Sequence, residues 1–176
     1  DDAGLDKSFN LHHQAYERIF TRLGLHAIPV EASSGAMGGS DSVEFMVESP
    51  AGEDDVAVCS SCGYSANVER ATSIIPKVNN RLENETLEKF DTPDIRTIEA
   101  LSDAGHPPEH QIKTLVYMVD GELSLILLRG DHQFQEQKFR DATSSIEIVP
   151  AEEDAIKKAL GASPGSLGAV GIEGIP

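Results

Sequence analysis

The chain has 176 residues, of which 39% are apolar and 5% aromatic, with no Trp and a formal net charge of −16. That length suits one ordinary domain or two small ones, and the apolar share supports a core of aliphatic character. The charge argues against a general DNA-coating protein, which carries a basic face, but leaves room for RNA contact through a local positive patch. No stretch reads as a signal peptide and no apolar run approaches the roughly 20 residues of a membrane span, so a soluble, cytoplasmic protein without membrane contact is expected.

Residues 5–25 read as an amphipathic helix. Leu5, Phe9, His12, Tyr16, Ile19 and Leu23 recur at three- and four-residue steps, and Gly24 is a stop signal. His12 lies on that stripe and reads as a satisfied core histidine rather than a ligand. Residues 26–30 look like a short strand ended by Pro29 and the small residues that follow. Residues 33–40 form a glycine-rich loop that can let a backbone approach a ligand. They lack the Gly-Lys-Ser/Thr ending of a phosphate-cradling loop. Residues 42–47 follow as a strand with Phe45 and Val47 on one face and Glu44 and Met46 on the other. Glu44 reads as an edge-strand charge facing water.

An acidic turn over 50–55 leads to a short strand at 56–58 and then to Cys59-Ser60-Ser61-Cys62. One CxxC with no second pair and no histidine at ligand spacing falls short of the four ligands of a closed zinc site. A reduced turn is the first reading, a partial metal site the second and a redox pair the third. Residues 65–71 can start a helix. Residues 72–87, with Pro76, paired asparagines and mixed charge, read as a linker between two lobes.

In the second lobe Thr92 can cap a helix with Pro93 at its first position, Ile95, Ile98 and Leu101 marking its buried stripe and Gly105 its stop. Pro107-Pro108 begins a short turn. The lobe is organised around residues 112–132. Two apolar runs meet there at Asp120-Gly121, the strongest short-range hairpin signal, because a type I′ turn needs positive φ at both central residues. The second run is almost continuously apolar, which predicts a central strand buried on both faces. It ends in Arg129-Gly130-Asp131-His132. Lys113 stands at the hairpin's opening end, where a solvated strand terminus is the commoner reading of a lysine. A short helix near Phe134, Lys138 and Phe139, a strand at 146–149 and a helix over 151–160 follow. The last has Glu152, Glu153 and Asp154 in its first turn and Lys157 and Lys158 in its last, as the helix dipole favours. Residues 161–169 are a loop of small residues. The fold class is α+β, and the pattern alone offers no Ser-His-Asp arrangement.

Two blocks resemble bacterial-type prolyl-tRNA synthetase. The first is Gly38-Gly39-Ser40-Asp41-Ser42-Val43-Glu44-Phe45-Met46-Val47 with Gly52-Glu53-Asp54-Asp55 and Tyr64-Ser65-Ala66-Asn67-Val68-Glu69. It is similar to the family's GGSxxHEFxV…GED…YAANxE run. The second is Asp91-Thr92-Pro93, Lys113-Thr114-Leu115, Arg129-Gly130-Asp131-His132 and Pro164-Gly165-Ser166-Leu167-Gly168. It is similar to the family's insertion domain and to the free-standing trans-editing proteins. Val43 stands where the family usually has His, and Ala169 where its GxxxP loop normally ends in Pro.

The resemblance implies part of a class II synthetase antiparallel-sheet core over 1–75, a linker over 76–90 and, over 91–176, a mixed α/β editing domain expected to be incomplete at its C-terminal side. It implies activation of proline with ATP and Mg2+, charging of tRNA(Pro), a homodimer, and hydrolysis of alanine mistakenly attached to tRNA(Pro) without a cofactor. Lys113 matches the editing lysine that holds the terminal adenosine or its phosphate. Gly165 matches the first position of GxxxP, with Ser166, Leu167 and Gly168 shaping the alanine pocket. Asp131 and His132 are further catalytic candidates, ranked below Lys113. Gly38, Gly39, Glu44 and Phe45 are the substrate-binding candidates of the first lobe. The family's motif 2 arginine, motif 3 and anticodon-binding domain have no counterpart here, so an internal segment that does not itself charge tRNA is expected. The alternatives are a non-catalytic module that holds the tRNA acceptor end and, third, a zinc-stabilised structural domain resting on Cys59 and Cys62.

Overall fold

The computed structural model describes residues 1–39, 41–78, 89–165 and 167–176. The chain forms two compact units, Asp1–Ser73 and Ile74–Pro176. Most of the expected linker, and Ser40 and Ser166, lie outside the described residues.

The first unit opens with helix α1 (Asp2–Arg22), capped by the Asp1 carboxylate, which accepts from the Gly4 amide at 2.8 Å. Its packed face differs from the expected stripe. Phe45 gathers the rings of His13, Tyr16 and Phe20 at centroid distances of 5.1, 5.5 and 5.5 Å. Leu5 and Leu23 remain exposed. His12 is satisfied, donating to the Ser8 carbonyl at 2.8 Å, but it is exposed rather than in the core. A face set by where one aromatic ring sits on a sheet is not fixed by helical spacing alone.

Strands β1 (Ala27–Glu31), β2 (Val43–Val47), β3 (Val56–Val58) and β4 (Ser65–Asn67) form a mixed sheet in the order β2-β1-β4-β3, with β1 and β4 parallel. Pro29 does not end the first strand as expected. It lies within β1, opposite Phe45, and its carbonyl accepts from Ser65 Oγ at 2.6 Å. Its missing N–H faces away from β2, so the β1–β2 ladder loses nothing. Residues 65–71 are not a helix start. The Asn67 side chain instead accepts from the Arg70 amide at 3.1 Å, turning the chain just after β4. Val30, Ala32 and Ala66 are buried. Glu44 is exposed on the edge strand β2, in line with its sequence reading.

The second unit contains α2 (Ile98–Asp103), β5 (Ile112–Val119), β6 (Glu122–Arg129), α3 (Glu136–Thr143), β7 (Ile148–Pro150) and α4 (Glu153–Leu160). The cap of α2 is Thr97, whose hydroxyl accepts from the Ala100 amide at 3.1 Å, not Thr92. Thr92 instead begins a turn in which Asp94 adopts φ 60°. The hairpin turns as expected, with φ of 49° at Asp120 and 84° at Gly121 and Lys113 opposite Leu128.

The antiparallel sheet order is β6-β5-β7. The central strand is therefore β5, not the more apolar β6, and Leu127 of β6 is 50% exposed. The reason is the turn itself. Asp120 Oδ1 accepts from the amides of Ile146 and Glu147 at 2.9 and 2.8 Å, and the Asp120 amide donates to Glu147 O at 2.9 Å. These bonds draw β7 to the β5 side of the hairpin. Val116, Ile126, Ile148 and Ile156 form the buried core. The fold is α+β, with one mixed and one antiparallel sheet. No helix among the described residues is long and apolar enough to cross a membrane.

Candidate functional site

Strand β7 pairs with β5 only at Tyr117, Met118 and Val119. Alternation along β5 points the backbone groups of Val116 toward β7, where its carbonyl accepts from the Ala151 amide at 3.0 Å. The same alternation points Thr114 and Ile112 that way, beyond the end of β7. A groove of about 640 Å³ opens along this uncovered start of β5. It is lined by the strand end from Gln111 to Leu115, by α2 and the turn before it, by Phe90, and by Gly165 and Leu167 of the small-residue loop.

Among the described residues the lining includes Arg96, Lys113, His106 and His110 but no Asp or Glu. In a chain with 30 acidic and 14 basic residues, that is a local reversal of sign. Lys113 and Arg96 have no ion-pair partner among the described residues. Two cations bordering a concave, partly apolar surface favour an anionic ligand.

Gln111 braces the groove. It is buried, and its Nε2 donates to Ile98 O at 3.0 Å and to His106 O at 2.6 Å, tying β5 to the start and to the exit of α2. Its Oε1 and the Thr114 hydroxyl are buried with no hydrogen-bond partner among the described residues. Gly165 has φ +92°, and a Cβ there would lie 3.8 Å from Arg96 Cβ. The glycine thus brings its loop against Arg96 in a conformation that side chains disfavour.

Residues 92–176 match the aminoacyl-tRNA editing domain. That match covers most of the second unit. Over 172 residues the chain is 49% identical to proline–tRNA ligase 1 of Anaeromyxobacter dehalogenans (strain 2CP-C), covering 97% of this chain and 30% of that protein. It is 39% identical over 171 residues to the proline–tRNA ligase of Staphylococcus aureus (strain bovine RF122 / ET3-1), with the same coverage. The chain thus spans about 30% of the length of the curated relatives it matches. The resemblance to prolyl-tRNA synthetases drawn from the two sequence blocks is borne out.

Of the residues singled out for editing, the groove brings together Lys113, Gly165 and Leu167. Gly168 is not among its lining, nor are Asp131 and His132. Asp131 takes a two-pronged grip from Arg129, at 2.6 Å to Nε and 2.8 Å to Nη2. That guanidinium holds the Asp131 carboxyl below the usual carboxylate range, and Asp131 in turn raises Arg129. His132 Nε2 lies 3.7 Å from Asp131 Oδ1. Gly130 of the same run lies against the turn before β5. A Cβ on it would meet Pro108 O at 2.5 Å and Gln111 Cβ at 3.0 Å. The run therefore closes the strand end behind Gln111. Arg96, Phe90, His106 and Gln111 were not singled out from the sequence as site residues. Only their assembly on one groove marks them.

In the first unit, Gly38 and Gly39 adopt φ 70° and 115°, and Glu44 Oε2 accepts from Asn67 Nδ2 at 3.4 Å. Phe45 is committed to the rings of α1. A second groove there is acidic, its described lining including Glu48, Glu53, Asp54 and Asp55. Cys59 and Cys62 are free thiols, and no group of three or more metal-binding side chains occurs among the described residues. Cys59 Sγ lies 3.4 Å from Ser61 Oγ. Hydrogen bonds from that hydroxyl, from the Ser61 and Cys62 amides and from the Cys62 thiol lower the Cys59 thiol to about 6.

Proposed function

We propose that the editing domain hydrolyses alanine from mischarged tRNA(Pro), and that the chain acts within a longer cytoplasmic, homodimeric proline–tRNA ligase that charges tRNA(Pro) using ATP and Mg2+. The observation that carries this reading is the groove itself. The Lys113 ammonium shares with the small-residue loop at Gly165 a concavity that holds no carboxylate among the described residues. The need for hydrolysis is physical. A pocket sized for proline discriminates against the smaller alanine by only about 1–3 kcal/mol for a missing methylene, so a second site must remove the error.

In this scheme the terminal nucleotide lies in the groove with its phosphate against Lys113, a point charge at a strand end. The small loop bounds the aminoacyl side chain and admits alanine. Water attacks the ester carbonyl, and the carbonyl oxygen takes the developing negative charge toward backbone N–H groups of the loop. The carbon–oxygen bond to the ribose then breaks, the ribose oxygen takes a proton, and free alanine and tRNA(Pro) leave. No side-chain nucleophile is required.

The test is hydrolysis of Ala-tRNA(Pro) beside Pro-tRNA(Pro), with the wild-type chain, Lys113→Ala and the full-length ligase. Selective loss of the alanyl ester, abolished or cut at least tenfold in Lys113→Ala, is the expected result. Hydrolysis unchanged by the substitution, or absent from the full-length protein, refutes the proposal.

A further inference from the structure

Phe90 is 60% exposed although it is a large apolar ring. It stacks on His106 with centroids 4.7 Å apart and planes inclined by 16°. Both rings line the groove that also holds Lys113 and Arg96. Exposure alone says little of an apolar ring, but this one is stacked on a second ring at a groove that holds two cations. Lys113 and Arg96, with no ion-pair partner and no carboxylate beside them in the lining among the described residues, favour an anion. The paired rings select a flat, polarisable body. A nucleotide combines both properties, because every base presents a π-face to an aromatic platform while its phosphate meets a cation. An acidic peptide would satisfy the cations but leave the ring pair unused.

We propose that Phe90, backed by His106, is the stacking subsite for the terminal base of an RNA 3′ end, resting on the deacylase reading above. In that arrangement the base is held at the platform, the phosphate at Lys113, and the ester is carried toward the loop at Gly165. Gln111 holds the platform to the strand that carries Lys113, since its amide donates to the backbone of His106 itself at 2.6 Å. Phe90 therefore acts in positioning, through binding of the nucleotide, and takes no part in bond breaking.

The probe is a CC-(2-aminopurine) trinucleotide, whose fluorescence falls when the modified base stacks on a ring. With the full chain we expect quenching on binding. Phe90→Ala should lose the quenching and weaken binding roughly tenfold, the effect of removing one base–aromatic stack of about 1–3 kcal/mol. Phe90→Tyr should retain both. Phe90→Leu should lose the quenching with the apolar bulk kept, and matched far-ultraviolet circular dichroism separates this from misfolding. Quenching unaltered in Phe90→Ala and Phe90→Leu, or no binding of the trinucleotide by wild type, overturns the subsite. Ala-tRNA(Pro) hydrolysis by the same proteins separates the two readings. Hydrolysis present with no Phe90 effect on quenching sinks the platform alone. Quenching that depends on Phe90 without hydrolysis sinks the deacylase reading and leaves a base-binding groove.

Discussion

Gln111 ties the start of β5 to both ends of α2, and its environment makes that bracing measurable. The side chain is 6% exposed, and both of its amide hydrogens are spent on carbonyls, Ile98 O at 3.0 Å and His106 O at 2.6 Å. Leucine has a similar volume and no donors. Gln111→Leu strands two carbonyls, each costing about 1–3 kcal/mol where it stays buried. It also removes the buried Oε1, which already lacks a partner among the described residues, and so recovers about one such term. The net expected loss is about 1–3 kcal/mol, read from urea unfolding, with faster amide exchange along β5 assigning it to the second unit. Gln111→Glu is a sharper version. An ionised carboxylate would face two carbonyl oxygens, and burial would raise its folded-state pKa above the unfolded value of about 4.3. The protonated acid can still donate one bond. The variant should therefore be most stable below that unfolded pKa and weaken as pH rises through the folded one. A Gln111→Leu protein within about 0.5 kcal/mol of wild type, or a Gln111→Glu protein with wild-type pH dependence, would refute this account of the groove's bracing.

Two further outcomes follow from other parts of the chain. Gly130→Ala should cost about 1–3 kcal/mol, since its Cβ would meet Pro108 O, a backbone atom, at 2.5 Å. Gly168→Ala, with nothing among the described residues within 4 Å of the added atom, should stay within about 0.5 kcal/mol of wild type in the same urea unfolding assay. Equal effects at the two glycines would contradict the packing described for the Arg129-to-His132 run. Alkylation of Cys59 by iodoacetamide, followed by mass spectrometry across pH, should show a midpoint of about 6, rising in Ser61→Ala. A midpoint near the ordinary thiol value of 9.0 would show that the turn does not hold the thiolate.

What could be read from the chain divides by the range of the interaction. The hairpin at Asp120-Gly121, the stop at Gly24 and the dipole-matched charges of α4 are legible because each is decided within a few residues. The errors share the opposite cause. Thr92 and Thr97 are both competent caps, and only the packing of α2 chooses between them. The helical stripe over residues 5–25 was placed with His12, where His13 meets Phe45, because a sheet ring decides which face turns inward. The run through Leu125 and Leu127 has the composition of a central strand, yet Asp120 commits β7 to the other side of the hairpin.

The α+β class and the kinship with prolyl-tRNA synthetases and their editing domain are legible in residue order alone, through motifs whose residue types and spacing carry the resemblance. The same motifs mark Lys113 and Gly165 as candidates. Only the tertiary structure showed that β7 stops short along β5, and that Phe90, Arg96, His106 and Gln111 meet Lys113 and Gly165 around the opening left there. Those residues lie apart along the chain, and a net charge of −16 gives no hint of a groove lined by Lys113 and Arg96. Strand pairing over long separations gathers the cations, because which charges become neighbours is a property of the folded sheet and not of the residue order.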